Sequence, residues 1–225
     1  MTKLRYSRKL NKEAEKILMS QKIADLQIQS LHSQINPHFV FNSLNSIQNF
    51  ILNNNPEEAS FYLATLGGII RNNLEMISEE FITLTRETEF LKKYIEIEKL
   101  RYKDKLKIEM INQVSNGEMI LIPPMLIQPL VENSIKHGIR ILNKEGIIRI
   151  KCELQNGILT VCVEDNGIGR ANALQHKDQN HNSHGLKLIA ERLALLADKY
   201  KTDKFRMNIT DLHMEEKPAG TRVEI

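Results

Sequence analysis

The 225-residue sequence has no tryptophan, two cysteines, ten glycines and six prolines, and Phe and Tyr together make up 5% of it. Two cysteines cannot build a disulfide framework, so a reducing compartment is the default. So few aromatic and turn-forming residues fit a helix-rich chain better than a β-sandwich or a low-complexity one. An excess of one charge is also missing. Lys and Arg number 31 against 28 Asp and Glu, a net +3 with no long basic run, which removes the usual footprint of a nucleic-acid binder. Long hydrophobic runs are missing too. The longest uncharged stretch, from Ile120, is broken by Pro123, Pro124, Gln128 and Pro129, so no segment reads as a bilayer-spanning helix. Lys3, Arg5, Arg8 and Lys9 run into Asn11, Lys12 and Glu13 rather than an apolar core, which is not a signal-peptide pattern. What remains, 41% hydrophobic and 26% charged residues, is an ordinary soluble composition for one large domain or two small ones.

The two parts of the chain read differently. Up to Lys103 the only glycines and prolines are Pro37, Pro56, Gly67 and Gly68, and apolar residues recur at helical spacing. Beyond it come an Asn-Gly turn, alternating runs and glycine-bearing loops. A boundary near Tyr102 to Lys107 therefore separates an all-helical part from a mixed α/β part, an α+β class overall. Leu10, Ala14, Ile17, Gln21, Ala24, Ile28 and Leu31 form a narrow stripe, suited equally to an intramolecular bundle helix or a parallel dimer stalk. Pro37 predicts a break. After it, Val40, Leu44, Ile47 and Ile51 form the expected inward stripe, with His38, Asn42, Asn45 and Asn49 as an exposed polar ridge about 200° away. Asn55-Pro56-Glu57-Glu58 predicts a helix start capped by Asn55, with Tyr62, Leu66, Ile69 and Ile70 inward. A third helix over Thr85 to Tyr102 would bury Phe90, Leu91, Tyr94, Ile95, Ile97 and Leu100.

In the second part, strands are expected over Lys105 to Val114, Phe205 to His213 and Thr221 to Ile225. Helices are expected over Pro124 to His137 and Gly185 to Lys201. Asn156-Gly157 predicts a hairpin joining Ile147–Leu154 to Ile158–Asp165, with Cys152 opposite Val161 and Leu154 opposite Leu159. Ile150, Cys152, Leu154, Leu159, Val161, Val163 and Asp165 then share the apolar face, and Cys162 lies on the other. An acid on a buried face needs a donor, and the Gly167-Ile168-Gly169 loop after it permits close approach of a flat ligand. A turn-capping aspartate is the simpler alternative. Asn133, Lys136 and His137 can share one helix face, where an amide oxygen suits Mg²⁺ and Lys136 suits phosphate. A solvated helix end is the simpler alternative there.

Together these fragments resemble one family. Gln34-Ile35-Asn36-Pro37-His38-Phe39, followed by Phe41-Asn42-Ser43-Leu44-Asn45, is similar to the phosphoacceptor box of LytS-like sensor histidine kinases. Leu130-Val131-Glu132-Asn133-Ser134-Ile135-Lys136-His137-Gly138 resembles their N box, Asp165-Asn166-Gly167-Ile168-Gly169 the first glycine box, and Gly185-Leu186-Lys187 through Glu191-Arg192-Leu193 the second. Leu100-Arg101-Tyr102 and Gly220-Thr221-Arg222-Val223 resemble the connecting helix and last strand. The resemblance implies three segments: a signalling coiled-coil helix over 1–30, a helical dimerisation and phosphoacceptor region over 31–104, and a GHKL (Bergerat-type) α/β sandwich over 105–225. It implies ATP with Mg²⁺ ligated through Asn133, Asp165 accepting from the adenine amino group, and Gly167 and Gly169 beside the adenine. Lys136 and His137 would lie near ribose or phosphates, Gly185 at the phosphate end of a lid over Arg170 to His184, and Thr221 near the adenine. His38 would accept the phosphoryl group and Asn42 would orient it, with His32 a rival acceptor. His176, His181 and His184 in the lid read as solvated rather than metal-binding.

The resemblance also implies a homodimer, a response-regulator receiver domain as phosphoryl acceptor, a cytoplasmic location, and membrane attachment through a segment before this chain. Two departures stand out. Ser183-His184-Gly185 supplies one glycine where the second box has two, and Leu188 replaces an asparagine. Pro129 stands where ATP-hydrolysing relatives of the fold carry a glutamate, which favours transfer to a side chain over an ATPase cycle. A nucleotide-binding scaffold without kinase activity and a GHKL ATPase without a histidine acceptor are the alternatives. An imidazole of ordinary pKa, about 6.5, is substantially neutral at cellular pH and needs no strong activation to attack.

Overall fold

A computed structural model describes residues 37–142, 144–175, 184–214 and 217–225. The seam from Leu10 to Leu31, His32, the break before Pro37, and His176 and His181 lie outside the described residues. Helices α1 (Pro37–Leu52), α2 (Pro56–Ile77) and α3 (Leu84–Tyr102) come first, with a two-residue strand β1 (Ile82–Thr83) before α3. The remaining chain forms β2 (Leu106–Asn112), β3 (Leu121–Ile122), α4 (Gln128–Asn133), a π turn (Ser134–Ile139), β4 (Gly146–Gln155) and β5 (Ile158–Asp165). It ends with α5 (Gly169–Gln175), α6 (His184–Tyr200), β6 (Asn208–Met214) and β7 (Lys217–Glu224).

Helix α2 buries Tyr62, Leu66 and Ile69, and α3 buries Phe90, Leu91, Tyr94, Ile95 and Ile97, as their spacing predicts. Asn55 does not cap α2 with its side chain; its carbonyl instead accepts from the Ala59 amide at 3.2 Å. Helix α1 differs more. It packs through Phe39, Ser43, Ile47 and Phe50, with Phe50 against Tyr62 and Phe39 against Tyr94, each pair of rings 5.9 Å apart. Of the expected inward stripe only Ile47 joins the core, while Leu44 and Ile51 are 51% and 61% exposed. Large apolar side chains spread over more than one face of this helix, so one is satisfied within the chain and a second is left open. Asn42, expected on an exposed ridge, is half-buried.

Strands β2, β4, β5, β7 and β6 lie side by side in that order, with β2 parallel to β4 and the other pairs antiparallel. Asn156 and Gly157 both take positive φ, 52° and 74°, as a tight hairpin turn of this hand requires. That turn sets the register, with Cys152 facing Val161 and Leu154 facing Leu159. Ile148, Ile150, Cys152, Val161, Val163 and Asp165 are buried on one face, whereas Arg149, Lys151, Glu153 and Glu164 lie on the other and pair there with opposite charges. The last two strands start at Asn208 and Lys217 rather than Phe205 and Thr221.

The helix expected from Pro124 begins only at Gln128, and its second half winds as a π turn. The cause is Glu87 of α3, wholly buried, whose Oε2 accepts the Met125 amide and whose Oε1 accepts the Leu126 and Ile127 amides, all at 2.9 Å. Those amides are held by a side chain, and Pro124 has none to give. A short antiparallel pairing of β1 with β3, absent from the sequence reading, sets α3 beside this loop. On the far side Arg192 of α6, 7% exposed, donates to the Pro124 carbonyl. Burial lowers its pKa to about 10, opposed by the charges of Glu87 and Glu80.

Leaving a buried donor unpaired costs about 1–3 kcal/mol per group. Glu87→Ala strands three, so urea unfolding should show a loss of about 3 kcal/mol or more. A loss below about 1 kcal/mol would mean that the 125–127 loop holds its shape without the carboxylate.

Candidate functional site

A cavity of about 480 Å³ opens where the ends of β5 and β7 meet α4, the π turn, α5 and the start of α6. Asp165 reaches it because strand alternation puts the last residue of β5 on the buried face. Its Oδ2 accepts from the Ser134 hydroxyl at 3.0 Å and its Oδ1 from the Gly167 amide at 2.9 Å. Burial pushes this carboxyl above its ordinary range, opposed by the donors from Gly167, Ser134 and the Thr221 backbone. Thr221 lies directly across from it in the register of β5 with β7 and also lines the cavity.

The floor depends on close backbone approach. A Cβ on Gly167 would fall 2.4 Å from the Gly138 Cα and 2.7 Å from Asp165 Oδ1, so neither segment could carry a side chain there without moving. The Ile168 amide donates to the Gly138 carbonyl at 3.2 Å. Asn166 ties the same loop to the start of β4, accepting from the Ile147 amide at 2.7 Å and donating to the Glu145 carbonyl at 3.2 Å. Gly169, with φ at 75°, opens α5 along the cavity wall.

Asn133 lines the cavity near the start of α6, where Gly185 permits the approach: a Cβ there would lie 3.3 Å from Asn133 Nδ2. Nδ2 donates to the Pro129 carbonyl at 2.7 Å, which leaves Oδ1 as the amide's ligating atom. His137 also lines the cavity, but Lys136 does not. It pairs with Glu132 and lines a separate narrow cleft shared with Asn42 of α1. Among the described residues none from α1 lines the cavity; His38 is in the first turn of that helix.

Ser134, Gly138, Arg170 and Asp211 also line the cavity and were not singled out from the sequence as site residues. Ser134 and Gly138 sit inside the matched motif and were legible from that position alone. Arg170 binds Asp211 through two bonds of 2.7 Å, a pair 41 residues apart with no local sequence signal. Leu130, Leu186 and Val223 supply apolar wall. The volume is that of a small-molecule site. Apolar walls, one buried acceptor and bare backbone suit a flat heterocycle with an amino group, and Asn133 Oδ1 suits a hard cation beside its phosphates. The residues therefore fit ATP with Mg²⁺.

The chain is similar to several known proteins. Residues 26–106 match the family model described as histidine kinase. The chain is 37% identical over 152 residues to the sensor protein LytS of Staphylococcus haemolyticus, covering 68% of this chain and 26% of that protein. It is 33% identical over 181 residues to the sensor histidine kinase BtsS of Escherichia coli K12, covering 80% of this chain and 30% of that protein. The chain thus spans less than a third of the length of either relative. Among solved structures, the mycobacterial sensor histidine kinase MprB aligns with a TM-score of 0.44 at 12% identity, covering 64% of this chain and 93% of that one.

A carboxyl with a raised native pKa stabilises the fold below its ordinary range, and that contribution is lost as pH rises through the raised value. Asp165→Asn keeps the shape without the charge. Its stability relative to the parent should therefore improve from pH 4 to pH 7, while affinity for ATP falls, read by denaturation and by calorimetry. A constant stability difference over that interval would contradict the assigned burial cost.

Proposed function

The chain belongs to the LytS-like sensor histidine kinases, and we propose that it phosphorylates its own His38 from ATP and passes the phosphoryl group to an aspartate of a response-regulator receiver domain. The observation that carries this reading is the convergence of Asp165, Thr221 and Asn133 on one cavity from three separated motifs. When bound, Mg²⁺ and ATP supply the γ-phosphoryl group. In this reading Asp165 accepts from the adenine amino group, and its bonds from Ser134 and Gly167 fix the carboxylate in place. Gly167 and Gly169 let the backbone run along the base, Thr221 sits beside it, Asn133 Oδ1 holds the metal, and His137 meets ribose or phosphate.

Phosphoryl transfer proceeds through a loose transition state, so the protein's work is to align the imidazole with the leaving phosphate and to hold charge in place. His38 is the acceptor, and Asn42, one turn on, orients its ring. Lys136, facing away from the cavity, has no phosphate role in this arrangement. Gly185, the second residue of α6, is assigned to the phosphate end of the site in this reading.

A homodimer accounts for the open apolar face of the helical part. Phe41, Leu44, Ile51 and Leu52 of α1 and Phe61 and Leu63 of α2 are all exposed in the single chain, and clustered exposed apolar side chains mark interaction surfaces. In this reading residues 31–104 are the dimerising and phosphoacceptor part and 105–225 the nucleotide-binding part, and the signalling segment 1–30 lies outside the described residues. No described helix is long and apolar enough to cross a membrane. The chain reads as the cytoplasmic part of a longer membrane receptor, attached through a segment N-terminal to it.

Incubation with labelled ATP and Mg²⁺ tests the reading. Acid-labile label should appear on the parent and be absent from His38→Gln, with ATP affinity unchanged. Label surviving the substitution would remove His38 as acceptor, and no label on either, with ATP bound, would contradict the kinase reading.

A further inference from the structure

A second cleft lies where α1 meets α3 and the π turn. Phe39 and Asn42 of α1, Tyr94 and Glu98 of α3, and Lys136 line it. Its free space of about 10 Å³ holds at most one water. The first turns of the helix that carries His38 are thus seated on the flank of the N-box segment, beside the cavity rather than over it. Glu98 is 2% exposed at this contact. Its only ion pair among the described residues is with Arg101, at 3.5 Å on the limit of hydrogen bonding, because Lys136 is taken by Glu132. The Tyr94 hydroxyl is its other side-chain hydrogen-bond partner, and this enclosed carboxylate has no part in the phosphotransfer chemistry above.

We propose, resting on that functional reading, that Glu98 is a positioning residue for the phosphoacceptor helix. With its carboxyl neutral, α1 stays seated in the cleft; with the carboxyl ionised, water and Arg101 are drawn to the charge and α1 is released to present His38. The titratable and charged groups around Glu98 are Arg101, Tyr94 and Tyr102 on α3, Glu132, Lys136 and Arg140 across the cleft, and Tyr62 from α2. Burial is the largest influence and raises Glu98 from 4.5 to about 7; Arg101 opposes it, Glu132 adds to it, and Lys136 opposes it. A raised value means that the seated form is favoured at low pH and loses ground as pH climbs from the ordinary carboxyl range through about 7, then stays level.

The chain has no tryptophan, so Phe39→Trp places a sole indole in the cleft. Its emission should change in a step as pH climbs from about 5 to about 7 and level off above that, with seating weakened by up to about tenfold per pH unit across the interval. Adding Glu98→Gln should abolish the step. Hydrogen exchange of the α1 amides in the parent and in Glu98→Gln gives the same comparison without the indole. Equal titration in both backgrounds by both methods would overturn the inference. In His38 labelling at saturating ATP, kcat of the parent should rise over the same interval with KM for ATP unchanged, while Glu98→Gln stays flat and low. Loss of all labelling with the indole step intact strikes the kinase reading alone. Identical kcat profiles with no indole step strike this inference alone.

Discussion

The Glu87 carboxylate is the point on which the rest of the architecture depends. It is a charge with no access to water, and it stays there because three successive amides of the 125–127 loop point at its two oxygens. Burial still raises its pKa against those three donors and the nearby Arg192, so the arrangement costs free energy. What it secures is placement. The loop leads directly into α4 and the π turn, which carry Asn133, Ser134 and His137 to the cavity, and its Pro124 carbonyl holds Arg192 of α6. A residue of the helical part thereby fixes where the cavity-lining motifs begin. The helical and sheet parts also share one continuous core, so a shift in α3 is felt at the cavity wall without a separate hinge.

The same trade recurs at Asp165. Placing a carboxylate at the closed end of an apolar strand face is unfavourable, and the donors from Ser134 and Gly167 offset only part of it. A stability-optimised sheet would end in an apolar residue there. The acid makes sense as the acceptor for a ligand's amino group, and the bare Gly138–Gly167 contact as the space such a ligand requires. Arg192, Glu98 and Asp165, like Glu87, are buried ionisable groups with pKa values moved by desolvation. Each lies where one mobile or functional element meets the frame.

Much of this was legible in the sequence because it follows from local rules. The Asn156-Gly157 turn fixes the hairpin register, register fixes the buried face, and the buried face delivers Asp165. Helices α2 and α3 carry a clean apolar stripe and were read correctly for that reason. Helix α1 was misread because its apolar side chains spread over more than one face, and periodicity cannot say which face the same chain covers and which is left for a partner. The start of the N-box helix was misread because the competing acceptor, Glu87, lies 38 to 40 residues earlier. The Arg170–Asp211 pair and the side cleft around Glu98 are products of tertiary contact in the same way. Lys136 shares a helix with Asn133, yet the wind of the π turn sends the two to different clefts.

The account rests on the cavity being an adenine-nucleotide site read by Asp165. Calorimetric titration of the chain with ATP and with inosine triphosphate, each with Mg²⁺, tests this most directly, because the two nucleotides differ where the exocyclic amino group would meet the carboxylate. A buried acceptor left unpaired discriminates strongly, so ATP should bind at least about tenfold more tightly. Equal affinity for the two, or no binding of either, would contradict it.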